Sequence, residues 1–143
     1  MSRADRHPHI DKPSEQQLSE LLANKSPVLR QVYLDAHRLI LDASPDVTYS
    51  TDCVDGTTSY GARQYGYDGW GAIALSAYGK WVSVFFMRGV ELEAGEDLPE
   101  GTGRHMRHIK LRSPEELEEH RAVLRRLIES AWTLNMKHDP AGN

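Results

Sequence analysis

Glutamates spaced three and four apart are the first residues in this chain whose types and spacing could do chemistry. Glu115, Glu118 and Glu119 share one face if their segment is helical, with His120 beside them. Carboxylates gathered on one surface suit a hard or borderline cation, and such a ridge could hold hydrated Fe(II) weakly. Glutamates in a first turn also complement the helix dipole and keep the surface solvated, whatever else they do. A second acidic group, Glu91, Glu93, Glu96, Asp97 and Glu100, is interspersed with Gly95, Pro99, Gly101 and Gly103 and reads as a loop. His7, His9 and Asp11 alternate near the N-terminus, where an extended chain would put them on one side as metal ligands or leave them solvated.

A basic alternation follows the acidic loop: Arg104, His105, Arg107, His108, Lys110 and Arg112. On a strand, Arg107, Ile109 and Leu111 face one way and His108, Lys110 and Arg112 the other. Ile109 and Leu111 belong in a core, which puts Arg107 at the inner edge of the sheet. Its guanidinium could clamp a carboxylate or phosphate there, or pair with an acid of its own chain such as Glu91 or Glu93. Tyr60, Tyr65, Tyr67, Trp70, Tyr78 and Trp81 cluster in a glycine-rich stretch. Rings and glycines together can line a small-molecule cleft, although aromatic residues are also ordinary strand formers. The candidate ligand-binding set is Arg107, Tyr60, Tyr65, Trp70 and Trp81, and the candidate metal set is Glu115, Glu118 and Glu119.

Catalytic arrangements are weaker. Cys53 lies between Asp52 and Val54 with no activating histidine nearby in sequence and reads as an inert thiol. Gly101-Thr102-Gly103 lacks the lysine of a phosphate loop, and neither Ser59 nor Ser76 sits in a nucleophile elbow. No catalytic residue is assigned.

The elements that would position these residues are punctuated clearly. Residues 1–13 are polar, with two prolines, and read as a flexible tail. Ser14 and Gln17 form a capping-box pattern before Leu18, Leu21 and Leu22, so a short helix should end near Asn24. Ser26-Pro27 opens a second helix, whose apolar positions keep helical spacing from Val28 to Ala43 before Ser44-Pro45 stops it. From Asp46 the period changes to two. Strands are expected around 47–51, 57–64, 70–78, 81–88 and 105–112, separated by glycine turns. Ser113-Pro114-Glu115-Glu116 begins a last helix that runs to Lys137, and residues 138–143 form a second tail. The expectation is one α+β domain over 14–137: two N-terminal helices, a five-stranded, mostly antiparallel sheet, and a C-terminal helix packed on it.

The chain has 143 residues, enough to bury a substantial core, and its net charge of −4 argues against a general nucleic-acid binder. A single cysteine points to a reducing compartment. With no apolar leader core and no run long enough to cross a bilayer, the expected location is cytoplasmic with no membrane partner.

The stretch Val84-Phe85-Phe86-Met87-Arg88-Gly89-Val90-Glu91-Leu92, then Leu98, Gly101-Thr102-Gly103, Arg107-His108-Ile109-Lys110-Leu111 and Ser113-Pro114-Glu115, resembles the YdhG-like domain-of-unknown-function family. That family pattern has an apolar strand ending at glycine, a loop with leucine and Gly-X-Gly, and an arginine-bearing strand before the last helix. The resemblance spans residues 20–133 and is most specific over 84–115. From Tyr60 to Trp70 the chain departs from it, being richer in glycine and aromatics. One branch of the family looks like a bacterial frataxin analogue, so the resemblance implies a helix–sheet–helix fold and an iron-chaperone role. The functional expectation is a non-enzymatic binding or carrier domain, with iron as one cargo. The alternatives are a small-molecule binder or minor enzyme using the aromatic cleft and Arg107, and a homodimer formed through exposed sheet edges.

Overall fold

Serines start all three helices. Ser14 caps α1 (Glu15–Leu21): its hydroxyl accepts from the Gln17 N–H at 3.1 Å, and Gln17 Oε1 accepts from the Ser14 N–H at 2.9 Å. Ser26 caps α2 (Pro27–Ala43), where Pro27 supplies a first residue whose missing N–H costs nothing. Ser113 accepts from the Glu116 N–H at 3.1 Å and starts α3 (Pro114–Lys137). The computed structural model describes residues 8–61, 72–92, 99–101 and 106–137. Among these, no helix is long and apolar enough to cross a membrane.

The strands are β1 (His9–Asp11), β2 (Tyr49–Asp52), β3 (Thr58–Tyr60), β4 (Ile73–Ala77), β5 (Val82–Phe86) and β6 (Arg107–Leu111). They form one sheet in sequence order, every neighbouring pair antiparallel. The sheet therefore has six strands where five were expected, and the added one lies in the stretch expected to be a tail. β1 has no periodicity of its own to reveal it. It exists through pairing: Ile10 stands opposite Thr51, the Cys53 N–H donates to Pro8 O at 2.9 Å, and the Lys12 N–H donates to Tyr49 O at 3.0 Å.

Strand parity sorts the side chains into two faces. Tyr60, Ile73, Leu75, Val82, Val84, Phe86, Ile109 and Leu111 are at most 2% exposed. They pack in one core with Val32, Tyr33, Ala36, Leu39 and Ile40 of α2 and Leu117, Leu124, Leu127 and Ile128 of α3.

Hydroxyls thread this apolar layer. The Tyr33 hydroxyl donates to Gly56 O at 2.7 Å and lies 2.5 Å from Thr58 Oγ1, which is itself 2.7 Å from Thr51 Oγ1. The relay runs Thr51 to Thr58 to Tyr33 to Gly56, each O–H donating onward, and it fastens α2 to the β2–β3 turn. In that turn Gly56 adopts φ +74°, a conformation glycine takes without strain. The buried Asp52 carboxylate accepts from the N–H groups of Val54 and Asp55 at 2.7 and 3.2 Å. Nearby, His37 Nδ1 lies 2.7 Å from the Tyr60 hydroxyl, and the Tyr49 ring meets both side chains.

Beyond β5 the chain turns closely over β6. A Cβ on Gly89 would sit 2.5 Å from Arg107 Cβ and 2.7 Å from its backbone nitrogen, so only glycine fits where the apolar strand ends.

Three consequences can be measured. Tyr33→Phe strands the Gly56 carbonyl and should cost about 1–3 kcal/mol, read as a lower urea midpoint at unchanged slope. Gly89→Ala forces backbone apart and should cost about 1–3 kcal/mol or more, whereas Gly79→Ala, where an added Cβ meets nothing within 4 Å, should be nearly silent. Burial holds the His37 pKa below its ordinary value of 6.5, with the Glu15 carboxylate opposing and the Arg38 guanidinium adding to the effect. The unfolded chain then binds the extra proton first, so this contribution to stability is intact above pH 6.5 and falls as pH drops from there toward the folded-state pKa. His37→Asn should flatten that fall in urea midpoints measured between about pH 7.5 and 5.

Candidate functional site

The sheet face turned away from α2 and α3 is built from small side chains. The registers place Ser59, Ala74, Phe85 and His108 side by side across β3 to β6, with Ser76, Ser83 and Lys110 in the next row. Serines and alanines in the middle of a sheet leave room above them, and larger side chains at the margins enclose it. The result is a cavity of about 840 Å³, a size that suits a small-molecule ligand.

Its floor is Thr57, Ala74 and Ser76, with Phe85 rising from β5. Met87 and Met106, just beyond the paired ends of β5 and β6, form one end. The other end is made by the last turn of α1 and the residues that follow it, Leu21 to Lys25, together with Val54, Asp55 and Tyr78. Val54 is 66% exposed and Tyr78 42%, so the rim offers apolar surface to an arriving ligand. Glu20, Lys25 and Asp55 supply charge there.

Polar recognition is concentrated in the floor. Thr57 Oγ1 and Ser76 Oγ lie 2.5 Å apart, both residues buried. Two hydroxyls carry two protons and one mutual hydrogen bond uses one, so a donor and several lone pairs remain for a ligand. Asp55 Oδ1 accepts from the Thr57 N–H at 2.9 Å, which fixes the hydroxyl's position. The described residues lining the cavity include no histidine or cysteine.

The residues expected to form a ligand site are dispersed. Tyr60 is fully buried on the helix side, bonded to His37, and burial pushes its hydroxyl well above the ordinary pKa. Trp81 lies on the opposite face: its indole N–H donates to Ser83 Oγ at 3.1 Å, Lys110 Nζ sits 4.7 Å from its ring centroid, and the Tyr78 ring is 5.8 Å away. One strand parity thus separates two residues that sequence proximity had grouped. Arg107 is half-buried opposite Phe86 and donates from Nη1 to Met106 O at 2.8 Å, and its side chain does not line the cavity. Tyr65 and Trp70 lie outside the described residues.

The acidic ridge is likewise a surface feature. Glu115, Glu118 and Glu119 are exposed. Arg121 binds the Glu118 carboxylate at 3.1 and 3.0 Å through Nε, and this pairing holds the carboxyl below its usual pKa. Glu116 is turned to the Arg112 N–H at 2.8 Å. Among the described residues, no three histidine, cysteine, aspartate or glutamate side chains come together in a group able to hold a metal ion. Fe(II) at the expected ridge is therefore without a converging donor set. His9 is held in β1, with Nδ1 3.3 Å from Ser50 Oγ, while Cys53 is a partly buried free thiol.

The signal missed in the sequence is the outward set of β4 and its neighbours, Ala74, Ser76 and Ser83, small where a solvated strand face normally carries long polar side chains. Compared with protein-family models, curated proteins and solved structures, the chain matches none of them.

Proposed function

We propose that the protein is a non-enzymatic binding domain whose ligand is a small, partly apolar molecule seated on the face of the sheet turned away from α2 and α3. The observation that carries this reading is the cavity of about 840 Å³ over the small-residue floor. A ligand there would lay apolar surface against Phe85, Leu21 and Tyr78 and direct a polar group to the Thr57–Ser76 hydroxyl pair. Burying apolar ligand area at roughly 25 cal/mol per Å² supplies affinity, and the hydroxyl pair supplies orientation.

The iron-carrier reading implied by the YdhG-like resemblance draws on element order and on the glycine-terminated β5, but its acidic ridge is exposed and already engaged with arginine at Glu118. A homodimer through sheet edges draws on β1, a three-residue edge strand followed by Lys12 and Pro13, which are residue types that discourage edge pairing, and on β6, whose outer edge is partly taken by the Glu100–His108 bridge.

The environment-sensitive dye 8-anilinonaphthalene-1-sulfonate probes the cavity directly. Saturable fluorescence enhancement is expected with the native chain. Ala74→Leu and Ser76→Leu, which fill the floor from an outward-facing position, should each reduce the affinity about tenfold, or 1.4 kcal/mol; Ala74→Leu should leave the melting temperature near native, whereas Ser76→Leu also removes the partner of the Thr57 hydroxyl and should lower it. Dye binding that is absent, or indifferent to both substitutions, overturns the reading.

A further inference from the structure

The β5–β6 ladder ends with Phe86 opposite Arg107 and has Phe85 opposite His108. One step further, the same register sets Met87 opposite Met106, and both residues line the cavity. Cross-strand neighbours have Cβ atoms about 5 Å apart. Residues two apart on a strand share a face at about 6.6 Å, so His108 stands next to Met106 on that side. Met87 is 4% exposed. The His108 ring stacks on Phe85 with centroids 5.5 Å apart, and its Nδ1 atom is buried with no hydrogen-bond partner. A buried imidazole nitrogen without a partner is costly to leave unmatched and calls for an explanation.

We propose that Met87 Sδ, Met106 Sδ and His108 Nδ1 form a binding site for a soft monovalent cation, Cu(I) or its surrogate Ag(I). The donors are two polarisable thioethers and a neutral imidazole, all uncharged and none a carboxylate. Such a set leaves the charge of a divalent ion uncompensated and offers nothing to a hard cation. It suits a monovalent d¹⁰ ion that accepts three ligands. Phe85 shields one side of the imidazole, and the apolar cavity end keeps the site dry, which favours soft donors over water. Lys110, two residues on along β6, is turned to the Trp81 ring and to Glu100, 3.9 Å away, and so is held by partners of its own. The site goes beyond the small-molecule reading and would stand without it.

The test is an anaerobic titration of the full chain with Cu(I) kept reduced by ascorbate, in competition with bathocuproine disulfonate. One equivalent of Cu(I) should be withdrawn from the chelator. Met87→Leu, Met106→Leu and His108→Gln should each weaken retention by about tenfold or more, since even supporting residues of a metal site act on that scale. Leucine conserves methionine's volume, so the two methionine variants should stay folded and melt close to the native chain. Cys53→Ser must leave Cu(I) retention intact, because a thiolate is the competing soft ligand. Fe(II) and Zn(II) should not protect the chain against thermal unfolding. Failure to withdraw Cu(I), retention that follows Cys53, or retention that survives the double variant Met87→Leu/Met106→Leu overturns the site.

Discussion

The Tyr33 hydroxyl is the constraint on which the rest of the structure depends. It reaches from α2 through the apolar layer to the β2–β3 turn, where it bonds the Gly56 carbonyl and Thr58. A buried carbonyl with no donor would be costly, so the turn can sit beneath α2 only while this hydroxyl is present. The same turn carries Val54, Asp55 and Thr57 to the cavity on the far side of the sheet. Core anchoring and site geometry are therefore two ends of one short segment. Burial of Tyr33 pushes its hydroxyl pKa above its ordinary value, which favours the protonated donor.

The second determinant is strand parity. β4 reads Ile-Ala-Leu-Ser-Ala, and the alternation places Ile73 and Leu75 in the core and Ala74 and Ser76 beneath the cavity. One face is filled because its side chains are large and meet two helices. The other is hollow because its central side chains are small. The aromatic residues obey the same rule, which is why Tyr60 joins Tyr49 and His37 in the core while Trp81 joins Tyr78 and Lys110 outside.

Much of the fold was legible because its signals are local. Ser26-Pro27 and Ser113-Pro114-Glu115-Glu116 mark helix starts by capping chemistry, and each of the five strand patterns overlaps one of β2 to β6, β2 running one residue past its pattern to Asp52. β1 was not legible, because a three-residue segment with one apolar side chain, Ile10, becomes a strand only by pairing with residues some forty positions away, beyond any local pattern. The candidate site was mostly illegible for a related reason. Sequence reasoning favours conspicuous residues, and here it gathered Tyr60 and Trp81 by proximity when parity sends them to opposite faces, and added Arg107, which stands in the Tyr60 row and does not line the cavity. The cavity is marked instead by what is small, and by Met87 and Met106, which only the register of β5 and β6 brings opposite each other.

The two ends of the cavity differ in a way that bears on what it can hold. At the β3–β4 end the floor offers a hydroxyl pair, with Asp55 and Lys25 at the rim, a surface that solvates dipoles and hydrogen-bonding groups. At the β5–β6 end Phe85, Met87 and Met106 present rings and sulfur, which favour polarisable partners. Ala74 separates the two with no side chain large enough to divide the space. A ligand spanning the floor would thus be oriented, its polar group toward Thr57 and Ser76 and its apolar part toward Phe85. An ion held by sulfur would sit where the hydroxyls cannot compete for it. The face turned away from α2 and α3 can therefore accommodate two chemistries without either excluding the other, because the residues that would serve them lie at different heights along the strands: Ser76 pairs with Ser83, four residues before Met87.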